Sequence, residues 1–119
     1  MLKIYTLATC DSCRSATKWL KAQGIAHAEQ AIRETPPSVA ELRLMLAAYD
    51  GEIRKLFNTA GRDYRDQQLG EKLPALSVDA ALGLLENNGN LVKRPFVIGG
   101  GVHLVGFNAA TWADAFGQR

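Results

Sequence analysis

Residues 2–14 read LKIYTLATCDSCR, and this stretch decides the fold. Leu2 to Leu7 alternates enough for a β-strand, and Ala8 to Ser12 is polar and turn-like. The pattern predicts a helix over about Cys13 to Gln23, stopped by Gly24, the usual residue just past a helix end. Ala16, Trp19 and Leu20 fall at helical spacing and are expected to face the core. Ile25 to Ile32 reads more weakly as a second strand. The result is a β-α-β unit with Cys10 and Cys13 where the first strand meets the first helix.

Further along, Thr35-Pro-Pro-Ser38 is a stop followed by a helix start, with Glu41 three residues after Ser38 in a capping-box pattern. That helix carries Leu42, Met45, Leu46 and Tyr49 on one face and is expected to end near Asp50-Gly51. Ile53 to Phe57 suits another short helix, and Asn58 to Asp66 reads as a polar loop. Ser77 to Asn87 is helical, striped by Ala81, Leu82 and Leu85 and stopped by Asn88-Gly89. The periodicity then changes. Phe96-Val97-Ile98 and Val102 to Val105 are short strands joined by Gly99-Gly100-Gly101, a hairpin signal. Asn108 caps a last helix, Ala109 to Phe116, with Trp112 and Phe116 on one side. The order β-α-β, several helices, β-β-α implies an α/β fold, a small mixed four-stranded sheet with the middle helices as a separate lobe.

The chain has 119 residues, the size of one domain able to bury a single core. Hydrophobic residues make up 47% of it, too many for a disordered chain. Fourteen basic against twelve acidic residues leave a net charge of +2, with no basic block, which argues against direct nucleic-acid or membrane-surface binding. No apolar run approaches the roughly 18 residues of a membrane span. MLKIYTLATC holds an apolar stretch too short for a signal-peptide core, so the expected location is the cytoplasm.

The chain contains only two cysteines, spaced C-x-x-C. In a reducing compartment a lone close pair points to catalysis, redox sensing or metal binding. Zinc wants four ligands, and neither His27 nor His103 sits in a ligand pair, so no metal site is expected. Two inert buried cysteines are the remaining alternative. At a strand-to-helix junction, unpaired backbone N–H groups and the positive helix end favour the Cys10 thiolate, which is the nucleophile. Arg14 and Lys18 add positive charge nearby, and Asp11 opposes it. Cys13, one turn in, is placed to resolve a mixed disulfide.

Lys93-Arg94-Pro95-Phe96 is the second informative cluster. The X-Pro bond imposes an extended approach to the strand and is open to the cis isomer. A guanidinium there can hold an oxyanion or a thiolate bidentately, although Arg94 taken alone reads as a solvated surface arginine.

CDSCRSATKWL, LFNTAGRDYR, KRPFVI and VGFNAATW stand in the order and approximate spacing found in the ArsC/Spx/YffB family of arsenate-reductase-like proteins, which the chain resembles over nearly its whole length. The resemblance implies a thioredoxin-like three-layer fold within one domain, the core over about 1–34 and 90–119 and a helical insertion over about 35–89. It implies that Cys10 is the active-site cysteine, Arg94 the arginine beside it, and Pro95 a cis proline facing the active-site loop. Glutaredoxin-linked arsenate reductases of the family use one cysteine and three arginines. Here Asn58 aligns with the second arginine and Gly106 with the third, leaving Arg62 and Arg65 as the nearest substitutes. The second cysteine resembles instead the Spx and MgsR branch, where a CxxC is a redox switch and Spx binds the RNA polymerase α subunit. The NTAGRDYR stretch is shared with YffB-like proteins, for which glutathione-linked reduction has been proposed.

The expected function is that of a thiol–disulfide oxidoreductase. Cys10 and Cys13 form its catalytic pair, and Arg94, Pro95, Ser12, Arg14 and Asn58 are the substrate-binding residues. A small oxidised molecule is the expected substrate, with glutathione, glutaredoxin or thioredoxin restoring the dithiol. The alternative is a redox-sensing regulator bound to the RNA polymerase α subunit.

Overall fold

A computed structural model describes residues 2–117 of the chain. They divide into two compact units. One joins the residues up to Ala31 with those from Arg94 onward, and the other is Ile32–Lys93.

The first unit is built on β1 (Leu2–Thr6), α1 (Asp11–Ala22), β2 (His27–Ala31), β3 (Phe96–Gly99), β4 (Val102–Val105) and a C-terminal helix, Ala109–Ala115. The sheet order is β2-β1-β3-β4. β1 runs parallel to β2 and antiparallel to β3, and β3 and β4 form an antiparallel hairpin. This mixed sheet with its β-α-β and β-β-α halves is the thioredoxin-like arrangement. The alternation of β1 sorts the core. Leu2 and Ile4 join Ala16 and Leu20 of α1, Val97, Leu104 and Trp112 in one buried cluster. Tyr5 and Phe96 are also buried and meet edge to face at 5.7 Å. Trp19, Phe107 and Phe116 pack against the cluster as half-buried aromatics, so the predicted core face of α1 is Ala16 and Leu20, with Trp19 at its margin.

Local chemistry explains the element ends. At the end of α1, Gly24 N–H donates to Lys21 O at 3.1 Å and Ile25 N–H to Leu20 O at 3.0 Å, with Gly24 at φ +69°. This is a Schellman stop, and Leu20 and Ile25 share the apolar cluster beneath it. In the hairpin, Gly100 and Gly101 both have positive φ, the geometry of the tight turn that matches strand twist.

The Ile32–Lys93 unit contains α2 (Val39–Ala48), a 3-10 turn Ile53–Leu56, α3 (Arg62–Asp66), α4 (Leu69–Lys72), a 3-10 turn Leu73–Ala75, α5 (Val78–Asn87) and a 3-10 turn Gly89–Leu91. The capping box at Ser38 and Glu41 is formed, α2 packs against α5, and Leu42 and Met45 of α2 and Leu82 and Leu85 of α5 are buried. The helix over Ala109–Ala115 is α6. Asn108 caps it by accepting from Thr111 N–H at 3.0 Å.

The stretch Asn58 to Asp66, expected as a loop, holds α3, and α4 follows it. Each is a single turn that buries one large side chain, Tyr64 and Leu69. That is too little apolar periodicity to show in the sequence.

Candidate functional site

Cys10 is the N-cap of α1, with an extended backbone at φ −90° and ψ 116°. A turn delivers it there, Cys10 N–H donating to Leu7 O at 3.0 Å. Its sulfur stands where a serine or aspartate oxygen would cap an ordinary helix, and accepts from Cys13 N–H at 3.3 Å. One of the free donors of the helix start is therefore aimed at the sulfur. Cys10 is half-buried, whereas Cys13 is 2% exposed, and both are free thiols.

This asymmetry sets the protonation of the pair. Burial pushes the Cys10 thiol up, but hydrogen bonds from the Cys13 thiol and N–H and from the Arg94 side chain, together with the Arg94 charge, outweigh it and hold Cys10 below the ordinary thiol value. Cys13 is pushed up to about 12, by burial first and then by donating its own hydrogen to Cys10. Of the two, Cys10 is thus the thiol that gives up its proton first and Cys13 the one that keeps it. Only a thiolate attacks a disulfide, so of the two sulfurs the outer one is the better suited to nucleophilic attack.

Arg94 lies 84 positions after Cys10 in the sequence, yet its guanidinium is a donor to the Cys10 sulfur. Pro95 follows it through a cis bond, is buried, and accepts from Gly106 N–H at 2.9 Å. The other expected site residues are placed differently. Ser12 is exposed in the first turn of α1. Arg14 is exposed and locally engaged: it pairs with Asp11 and donates to Ala8 O at 3.0 Å, strapping the loop before Cys10. The opposite charges at i and i+3 were the sequence signal for that pairing. Asn58 belongs to the Ile32–Lys93 unit, where it donates its N–H to Leu91 O at 2.7 Å and accepts from Gly61 N–H at 3.0 Å.

One polar group escaped the sequence reading. Asp63 of α3 accepts from the side chains of Asn88 and Asn90, at 2.9 and 3.3 Å, and Arg33 Nε donates to Asn90 Oδ1 at 2.6 Å. Those hydrogen bonds, Asn88 first, hold the Asp63 carboxyl below its ordinary value. This group ties α3 to the turn that follows α5. Among the described residues no cluster of three or more His, Cys, Asp or Glu side chains could hold a metal ion, and no helix is long and apolar enough to cross a membrane.

A profile of the ArsC family matches residues 5–115. The chain belongs to the ArsC family. It is 41% identical over 106 residues to the uncharacterized protein YusI of Bacillus subtilis, covering 89% of this chain and 90% of that protein. It is 32% identical over 108 residues to the global transcriptional regulator Spx of Enterococcus faecalis, covering 91% of this chain and 80% of the regulator. Among solved structures, an ArsC family related protein from Bacteroides fragilis superposes with a TM-score of 0.89 at 32% identity, over 96% of both chains. Family and fold agree with the sequence resemblance, and the likeness includes the arsenate-reductase-like and Spx-like members of a thiol-based redox family.

Proposed function

We propose that this ArsC-family protein is a thiol–disulfide oxidoreductase in which Cys10 is the nucleophile and Cys13 the resolving thiol. The observation that carries the reading is the Cys10 sulfur itself, half-exposed and receiving hydrogen bonds from Cys13 N–H and Arg94. The Cys10 thiolate attacks one sulfur of a small disulfide, forming a mixed disulfide and releasing the first thiolate. Arg94 offers charge-assisted donors to the attacking sulfur and to an anionic substrate. Loss of negative charge from Cys10 removes one influence that raises Cys13. Cys13 then gives its proton to solvent and attacks the Cys10 sulfur, closing the Cys10–Cys13 disulfide and releasing the second thiolate. Two glutathione thiols, or the dithiol of glutaredoxin or thioredoxin, return two electrons and restore the pair.

In this proposal the chain works as one domain in the cytoplasm, with the remaining candidates, Pro95, Ser12, Arg14 and Asn58, acting in substrate binding. A Cys13→Ser variant tests the order of attack. After exposure to lysate, mass spectrometry is expected to find a mixed disulfide on Cys10 that the wild-type protein does not accumulate. An adduct-free Cys10 in that variant would sink the assignment.

The 32% identity to a global transcriptional regulator favours a second reading, a redox sensor acting through the RNA polymerase α subunit. Turnover separates the two. A catalyst reduces many equivalents of substrate per protein, whereas a sensor changes its affinity for the α subunit once per oxidation.

A further inference from the structure

The segment Thr59–Arg65, given no role in the thiol chemistry proposed above, together with α4 lines a cavity of about 320 Å³ within the Ile32–Lys93 unit. That volume lies at the small end of ligand sites. Its apolar wall is the ring of Tyr64. Gly70 lies against that ring: a Cβ built on Gly70 would stand 3.8 Å from Tyr64 Cε1 and 3.9 Å from the phenol oxygen. Thr59 and Gln68 supply a hydroxyl and an amide at the rim.

Two charges of opposite sign complete the lining, Arg65 from α3 and Glu71 from α4. Among the described residues neither makes an ion pair with the other or with a third group. Their spacing is fixed by Gln68, which adopts the left-handed conformation at φ 54° and ψ 38°. That region is disfavoured for any residue that carries a Cβ. Gln68 N–H donates to Arg65 O at 3.0 Å, and Gln68 O accepts from Glu71 N–H at 3.2 Å. One strained residue thus holds the backbones of both charged residues, and both line the cavity without forming an ion pair with each other. Opposite charges held near each other but unpaired suit a ligand that carries the complementary pair.

We propose that this cavity binds a small zwitterion, a free α-amino acid or the termini of a short peptide, with its carboxylate on Arg65 and its ammonium on Glu71. The planar guanidinium takes the carboxylate through two parallel hydrogen bonds. Glu71 takes the ammonium, and the aliphatic part lies along Tyr64 and Gly70. Both charges are exposed, so each pair contributes modestly and the affinity is weak.

The test is an NMR titration of the full ¹⁵N-labelled chain with L-alanine and with glycylglycine, against N-acetylalanine and alanine amide as singly blocked controls. The expected result is saturable shifts at amides of residues 59–71 with a zwitterion. Blocking either terminus, or introducing Arg65→Ala or Glu71→Ala, weakens binding by about two- to fivefold. Saturation by L-alanine identifies an amino-acid site, and saturation by glycylglycine alone identifies a site for peptide termini. Arg65→Glu and Glu71→Arg are each expected to abolish binding, and the double exchange to restore it with the ligand reversed, which a merely structural role would not do. No saturable shift at these amides, or an equal response to the blocked compounds, would overturn the proposal. Gly70→Leu fills the cavity without touching either charge and is expected to remove the shifts as well.

Discussion

Replacing Gly89 with alanine is expected to be among the most damaging single-methyl changes in this chain. A Cβ at position 89 would lie 1.9 Å from the Ile32 carbonyl oxygen, 2.7 Å from its carbon and 3.1 Å from Arg33 Cα. All three are backbone atoms, so no side-chain rotation relieves the clash, and the chains must part by more than an ångström. Ile32 is fully buried, and Gly89 sits between Asn88 and Asn90, both anchored on Asp63, with Asn90 also held by Arg33. Forcing extra volume into a packed site costs about 1–3 kcal/mol. Losing the two Asp63 hydrogen bonds adds about 1 kcal/mol each, discounted for their partial exposure. The total is about 3–5 kcal/mol. An unfolding entropy of about 2.1 cal/mol/K per residue gives about 0.25 kcal/mol/K for 119 residues, so Tm is expected to fall by about 12–20 °C. Gly83→Ala is the control: its Cβ meets nothing within 4 Å inside α5, and the exchange is expected to stabilise by about 0.5–1 kcal/mol. Thermal denaturation followed by circular dichroism measures both. A Gly89→Ala protein melting within about 4 °C of wild type would refute the steric argument.

Alkylation of Cys10 followed against pH is expected to show a midpoint below the ordinary thiol value of 9.0, raised in Arg94→Ala and only partly recovered in Arg94→Lys, which keeps a charge without the planar fork. Because its folded value is depressed, the stability Cys10 contributes is present above 9.0 and lost as pH falls through that lower value; chemical denaturation of wild type and Cys10→Ala across that range reads it. Cys13 has the opposite sign. Its folded thiol holds its proton up to about 12, so unfolding is expected to become easier as pH rises above 9.0, and Cys13→Ala is expected to flatten that alkaline decline; an unchanged slope would remove Cys13 as its cause. Arsenate is expected to be a poor substrate. It is an anion approaching a thiolate, and each missing charge-assisted donor withholds about 1.5–3 kcal/mol, so two absent arginines cost more than about a hundredfold in rate. Robust arsenate turnover with glutaredoxin or thioredoxin that vanishes in Cys10→Ser would contradict this.

Elements whose ends are signed by local chemistry were legible in the sequence. Gly24, the Ser38/Glu41 box, Asn108 and the glycine turn each satisfy or release backbone groups within a few residues, so neighbouring residues carry the whole signal. Asn88-Gly89 was read as a helix stop, and α5 does end at Asn87. The reason for the glycine is different: the backbone of Ile32 passes where a side chain would stand, and nothing in the local sequence carries that contact. The structured α3 and α4 were missed for the converse reason. Each is one turn long, and α3 is anchored through Asp63 to asparagines 25 and 27 residues away.

The meeting of Arg94 with Cys10 shows what a resemblance can suggest and sheet register can explain. β1 and β3 pair antiparallel as Lys3 with Ile98, Ile4 with Val97 and Tyr5 with Phe96. In this antiparallel register the start of β3, which Arg94 and Pro95 precede, lies beside the end of β1, which leads through Leu7 into the turn that ends in Cys10. The Leu7 carbonyl accepts from Cys10 N–H at 3.0 Å, so the backbone that leaves β1 also fixes the cysteine. The register itself follows from burial. A one-residue slip of β3 along β1 would turn Val97 out of the cluster it shares with Ile4, Ala16, Leu20 and Trp112, and put Phe96 or Ile98 in its place. The apolar alternation of two short strands therefore determines where the guanidinium meets the thiolate. A substitution that shifted the strand pairing would separate the two groups without altering either.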